Sequence, residues 1–75
     1  MKIALTGVSG KLGRTVAREL RAAGYTVIGM DICGERGPDF VEVDFRDYGQ
    51  VVDAFTAVGD RHDGIDAVVH LAAIP

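Results

Sequence analysis

Cysteine occurs once in this sequence, at Cys33, and lysine only twice, at Lys2 and Lys11. A single cysteine rules out an internal disulfide and suits a reducing compartment. Cys33 has no second cysteine and no nearby histidine, so a metal site is not expected. No apolar run approaches the ~20 residues that span a bilayer. The opening run, Ile3-Ala4-Leu5, is too short for the core of a secretion signal. No membrane association is therefore expected, and the default location is the cytoplasm. Excess positive charge is also missing: the net charge is −3 and the pI about 5.1. Nucleic-acid binding, which needs a basic face, is not expected. Repeats, low-complexity stretches and linkers are absent, which leaves one domain at most.

The 75 residues are 48% hydrophobic and 25% charged, a globular composition, and 10 of them are glycine. A chain of this size buries only roughly 60% of the surface its unfolded form exposes, so its stability margin is thin. Short apolar runs predict buried strands at Lys2 to Thr6, Thr26 to Asp31, Phe40 to Val43 and Asp66 to Leu71. Between them, Lys11 to Ala23 has helical periodicity, with Leu12, Val16, Leu20 and Ala23 on one face and Arg14, Arg18 and Arg21 on another, solvated one. Gly24 ends that helix. Asp47 and Gln50 have the spacing of a capping box for a second helix, with Val51, Val52, Phe55 and Val58 as its apolar stripe and Gly59 closing it. Asp60 to Gly64 is expected to be a polar turn. The order is β-α-β-β-α-β. Apolar strands alternating with amphipathic helices predict an α/β fold with a parallel sheet of order 3-2-1-4. Two helices are few for covering both faces of four strands, so part of the sheet should lack cover from within these residues.

The turn Thr6-Gly7-Val8-Ser9-Gly10-Lys11-Leu12-Gly13 joins the first strand to the first helix. Gly7 permits a tight exit from the strand, Gly10 lets a pyrophosphate approach the backbone, and Gly13 allows close helix packing. The free amides of this turn and the positive end of the helix dipole would face the phosphates. Ser9 has two readings, a donor to phosphate or a residue that shapes the turn. Asp31, about 20 residues further on at the end of the second strand, suits a carboxylate that accepts from the adenosine ribose hydroxyls. Its charge repels a 2′-phosphate, so NAD is favoured over NADP. Arg36, in the following loop, is the counter-signal. Together these features predict a Rossmann-type dinucleotide-binding fold. Thr6 is expected to brace neighbouring strands through its hydroxyl, and His70 to be structural.

These residues resemble the extended short-chain dehydrogenase/reductases, the NAD-dependent epimerase/dehydratase family. Thr6 to Gly13 is similar to that family's T-G-x-x-G-x-x-G element, and Asp31 matches its ribose-binding acid. Asp44 matches the acid that meets the adenine amino group, with Phe45 beside it. His70-Leu71-Ala72-Ala73 is similar to its H-x-A-A stretch, so Leu71, Ala72 and Ala73 would line the cofactor. The resemblance covers the whole chain. It implies residues 1–75 as the N-terminal half of an NAD-binding Rossmann domain, from an oxidoreductase, epimerase or dehydratase that moves hydride at a sugar or sugar-nucleotide carbon. It leaves a homo-oligomer open.

The family's chemistry uses a Tyr-x-x-x-Lys pair, in which tyrosinate is the acid/base. Tyr25 and Tyr48 are the only tyrosines, and four residues beyond them stand Gly29 and Val52. No catalytic residue is therefore assigned, and the chain alone is expected to be inactive, its catalytic and substrate regions lying elsewhere. The alternative reading is a non-catalytic nucleotide-binding module or sensor that a partner completes.

Overall fold

The computed structural model describes residues 1–72. The elements run β1 (Lys2–Thr6), α1 (Lys11–Ala22), β2 (Thr26–Asp31), β3 (Phe40–Glu42), α2 (Tyr48–His62) and β4 (Ala67–His70). The four strands form one sheet in the order β3-β2-β1-β4, all pairs parallel. The sheet order, strand direction and element order are those the sequence predicts.

Side chains alternate across a strand, so neighbours in β1 and β2 enter opposite cores. Ala4, Ile28 and Met30 face α2, where they meet Val43, Ala54 and Val58. Leu5 and Val27 face α1 and pack on Ala17. All nine are essentially inaccessible. Each fully buried Leu, Ile, Val or Met side chain is worth about 1.5–3 kcal/mol, which places the structure's stability in its two central strands. Neither helix covers β4 fully: Val68, in register with Ala4, remains 52% exposed. The uncovered sheet surface expected from the shortage of helices is found there.

The elements depart from the sequence reading in several places. In α1 the buried stripe is Gly13, Val16, Ala17 and Leu20, whereas Leu12 is 62% exposed and Ala23 is exposed at the C-cap. Apolar periodicity passed over the two small residues, which are the ones that let the helix lie close to the sheet. Strand β3 ends at Glu42, although Val43 continues in line far enough for its amide to donate to Asp31 O at 2.8 Å. β4 begins one residue after Asp66 and ends at His70.

Another departure is at Gly59, which does not close α2. The helix continues a full turn to His62 and stops where Asp63 adopts φ 57°. Glycine costs a helix only about 1 kcal/mol relative to alanine, and the turn beyond Gly59 is tied to β1, where Lys2 Nζ donates to His62 O. Asp63 tolerates the left-handed conformation, and Arg61 and His62 suit the negative end of the helix. Asp47 caps the other end as expected, its carboxylate accepting from Gln50 N at 3.2 Å. The reciprocal arm is diverted: Gln50 Oε1 accepts from Asp44 N at 3.0 Å, not from Asp47. In the apolar stripe, Ala54 and Val58 are buried while Val52 is 45% exposed.

Candidate functional site

The C-terminal ends of β1, β2 and β4 and the N-terminus of α1 meet at the glycine-rich turn. In a parallel sheet this is the end where loops diverge and ligands enter. Gly7 has φ 75° and donates its amide to Met30 O at 2.9 Å, which turns the chain sharply out of β1. A Cβ at Gly7 would lie 2.8 Å from Ala72 N and 2.9 Å from the carbonyl carbon of Leu71. The stretch after β4 is therefore pressed against the turn. A Cβ at Gly13 would lie 2.0 Å from Gly7 O, so this glycine is required by the turn itself as well as by helix packing.

Gly10 is different. It is the N-cap of α1, it is exposed, and a Cβ there would meet nothing closer than Gly7 O at 3.4 Å. No side chain caps the helix and no acid stands in its first turn. The amides at the start of α1, from Lys11, Leu12 and Gly13, thus have no side-chain cap, and a helix start of this kind suits a diphosphate. The exposure of Leu12 places that side chain at the rim, so its share in such a surface would be its backbone.

Asp31 lies at the tip of β2 beside this turn. Its Oδ2 accepts from Ser9 N at 3.0 Å and its Oδ1 from Ile32 N at 2.7 Å. Each carboxylate oxygen keeps one lone pair for a further donor, such as a vicinal diol. The Ser9 hydroxyl donates to Cys33 O at 2.6 Å. That bond ties the glycine-rich turn to the loop after β2.

Asp44 and Phe45 follow β3. Asp44 is held by Arg46, whose Nε and Nη2 donate to it at 3.0 and 2.9 Å and whose amide donates at 3.0 Å. The Arg46 guanidinium lowers the Asp44 pKa from 3.8 to about 2. The carboxylate is ionised at any physiological pH, with Oδ2 able to accept another hydrogen bond. Phe45 packs on the α2-side core and stands edge-on to His70, ring centroids 6.2 Å apart. Leu71 and Ala72 are half-buried beside Gly7. Ala73 lies outside the described residues.

Arg14, Arg18 and Arg21 are all exposed, as the sequence predicts, and two of them also border a pocket. Arg14 and Arg21, two helical turns apart on α1, line a pocket of about 500 Å³ together with Ser9, Gly34, Arg36 and Phe40. Their seven-residue spacing is the signal that was available in the sequence. No group of three or more His, Cys, Asp or Glu residues is placed to hold a metal among the described residues.

A parallel α/β sheet with an open, uncapped helix start beside a strand-end acid defines a nucleotide-binding class of domain. Comparison with known proteins specifies it further: residues 3–75 match the family model of the NAD dependent epimerase/dehydratase family, and the chain belongs to that family. The 3-alpha-hydroxysteroid dehydrogenase of Pseudomonas sp. B-0831, solved with NADH, superposes with TM-score 0.85 at 35% identity over 99% of this chain and 31% of that one. A short-chain dehydrogenase/reductase superfamily protein from Agrobacterium tumefaciens with bound NAD gives TM-score 0.76 and 33% identity over 100% of this chain and 21% of its own. A protein of Mycobacterium tuberculosis without an assigned function is 37% identical over 96% of this chain. The chain spans only 8% of the length of that relative.

Proposed function

We propose that this chain holds the adenosine and diphosphate portions of NAD for an epimerase, dehydratase or dehydrogenase acting on a sugar or sugar-nucleotide carbon. The observation that carries this reading is the pairing of the open α1 N-terminus with Asp31, whose carboxylate is fixed beside the turn by Ser9 N. Gly7, Gly10, Lys11, Leu12 and Gly13 would surround the diphosphate, and Asp31 the ribose. Asp44, Phe45, Leu71 and Ala72 would border the adenine and its approach. NAD, when bound, supplies a carbon that accepts hydride from the substrate. The residues of this chain bind and orient it. The Tyr-x-x-x-Lys pair that moves the substrate proton in the family is not in this sequence.

Calorimetric titration of the chain with NAD tests the reading. Saturable binding that Asp31→Asn weakens about tenfold, the size expected for losing a charge-assisted hydrogen bond, supports it. A folded chain, by circular dichroism, that takes up no NAD would overturn it. NAD reduction by the chain alone would contradict the assignment of a binding role without catalysis.

A further inference from the structure

One ion pair near the turn has no part in the reading above. Arg36 stands in the loop between β2 and β3 and its Nη2 lies 3.0 Å from Glu42 Oε2. Glu42 is the last residue of β3 and is paired in register with Asp31. Arg36 is thus tethered to the strand position directly beside the acid proposed for the ribose. Arg36 also lines the 500 Å³ pocket together with Ser9 and Arg14. Ser9 is common to both places, since its amide holds Asp31.

The pocket's cations differ in availability. Arg21 donates to Val27 O at 3.1 Å, and that bond keeps its guanidinium on the sheet. Among the described residues Arg36 is engaged by Glu42 alone, through a pair whose side chains are 85% and 53% exposed. Exposed pairs hold weakly, and a guanidinium prefers the forked geometry a phosphate offers. The Arg36–Glu42 contact is therefore a tether that a nearby dianion could compete for, not a fixed part of the fold.

We infer that Glu42 is a specificity-determining residue: it occupies the Arg36 guanidinium on β3, so that the guanidinium is not free to pair with a 2′-phosphate, and thereby strengthens the preference for NAD over its 2′-phosphorylated form. The inference rests on the dinucleotide reading. Removing the Glu42 carboxylate frees the guanidinium to turn toward a 2′-phosphate at the Ser9 side of the pocket. It also removes a negative charge from beside Asp31. The first effect requires Arg36 and the second does not, which makes the two separable.

The test is calorimetric titration of the chain with NAD and with NADP, for the parent, Glu42→Gln, Arg36→Gln and the double variant. Glu42→Gln is expected to raise the NADP-to-NAD affinity ratio about two- to fivefold, the scale of one exposed ion pair, and the gain should shrink with added salt. In the double variant, compared with Arg36→Gln alone, only the smaller part of the gain that comes from the lost Glu42 charge should remain. An unmoved ratio in Glu42→Gln, or the same gain in the double variant, overturns the tether while leaving the dinucleotide reading intact. Failure of the folded parent chain to bind NAD overturns both.

Discussion

Thr6 and His70, at the ends of adjacent strands, are joined by a 2.7 Å hydrogen bond between Thr6 Oγ1 and His70 Nδ1. The same oxygen accepts from the amides of Leu71 and Ala72 at 3.1 and 3.3 Å. Those two bonds occupy the hydroxyl's lone pairs, which leaves its proton to be donated to Nδ1. Thr6 is 1% exposed, and no water reaches the junction from its side. The bracing expected of Thr6 is present, and its reach extends to the backbone that presses on Gly7.

Replacing Thr6 by valine keeps the shape and removes the junction. It leaves the Ala72 amide and Nδ1 without partners, at a cost of about 1–3 kcal/mol. Urea unfolding should show that loss, and Thr6→Ser should recover most of it. A valine variant as stable as the parent would show that the junction contributes nothing net.

Alanine at Gly13 and at Gly10 should behave in opposite ways. At Gly13 the methyl would fall 2.0 Å from Gly7 O, a backbone atom that cannot move without undoing the turn. Overpacking of this kind costs about 1–3 kcal/mol or more, enough to unfold a small domain. At Gly10 the new methyl has room within the protein, so the melting temperature should stay put. It would intrude where the diphosphate is proposed, and NAD affinity should fall at least about tenfold for a loss near 1.4 kcal/mol.

Gly59 lies inside α2, with nothing within 4 Å of where a Cβ would be. Gly59→Ala should stabilise the chain by about 0.5–1 kcal/mol, since alanine has less backbone freedom to lose. A rise of roughly 2–8 °C in the thermal midpoint is expected for a domain of this size. Gly24→Ala should do the reverse, because Gly24 has φ 94°.

The Asp44–Arg46 pair makes a pH prediction. Asp44 titrates near 2 in the folded chain and 3.8 is its ordinary value, so the unfolded state binds the proton more tightly. The pair's stabilisation is complete above pH 3.8 and is lost as pH falls toward 2. Carboxyl NMR titration of Arg46→Ala should show the Asp44 midpoint returning toward 3.8. An unchanged midpoint would mean that the guanidinium is not what lowers it.

The strands were legible because each is a short apolar run bounded by glycine or acid, and parallel order followed from the helices between them. What escaped depended on which neighbour a side chain meets. Gly59 looks like a helix stop when only its own propensity is weighed, and the bond from Lys2, distant in sequence, to His62 O holds the turn beyond it. Leu12 satisfies helical periodicity yet lies on the wrong side, because Gly13 and Ala17 are what face the sheet. In the candidate site, Gly7, Gly13 and Asp31 could be placed from spacing. The Ser9–Cys33 bond and the Arg36–Glu42 pair could not, since each depends on how a loop without regular structure returns to the sheet.

Asp31 is also a structural member of the turn it faces, through its bond to Ser9 N. A change at this position alters the shape of the glycine-rich turn and the charge at the proposed ribose site in one event. Drift of such a domain toward a different dinucleotide is thus barred from starting at its most obvious residue. The accessible first steps lie one strand over, where surface side chains can be exchanged without disturbing the loop.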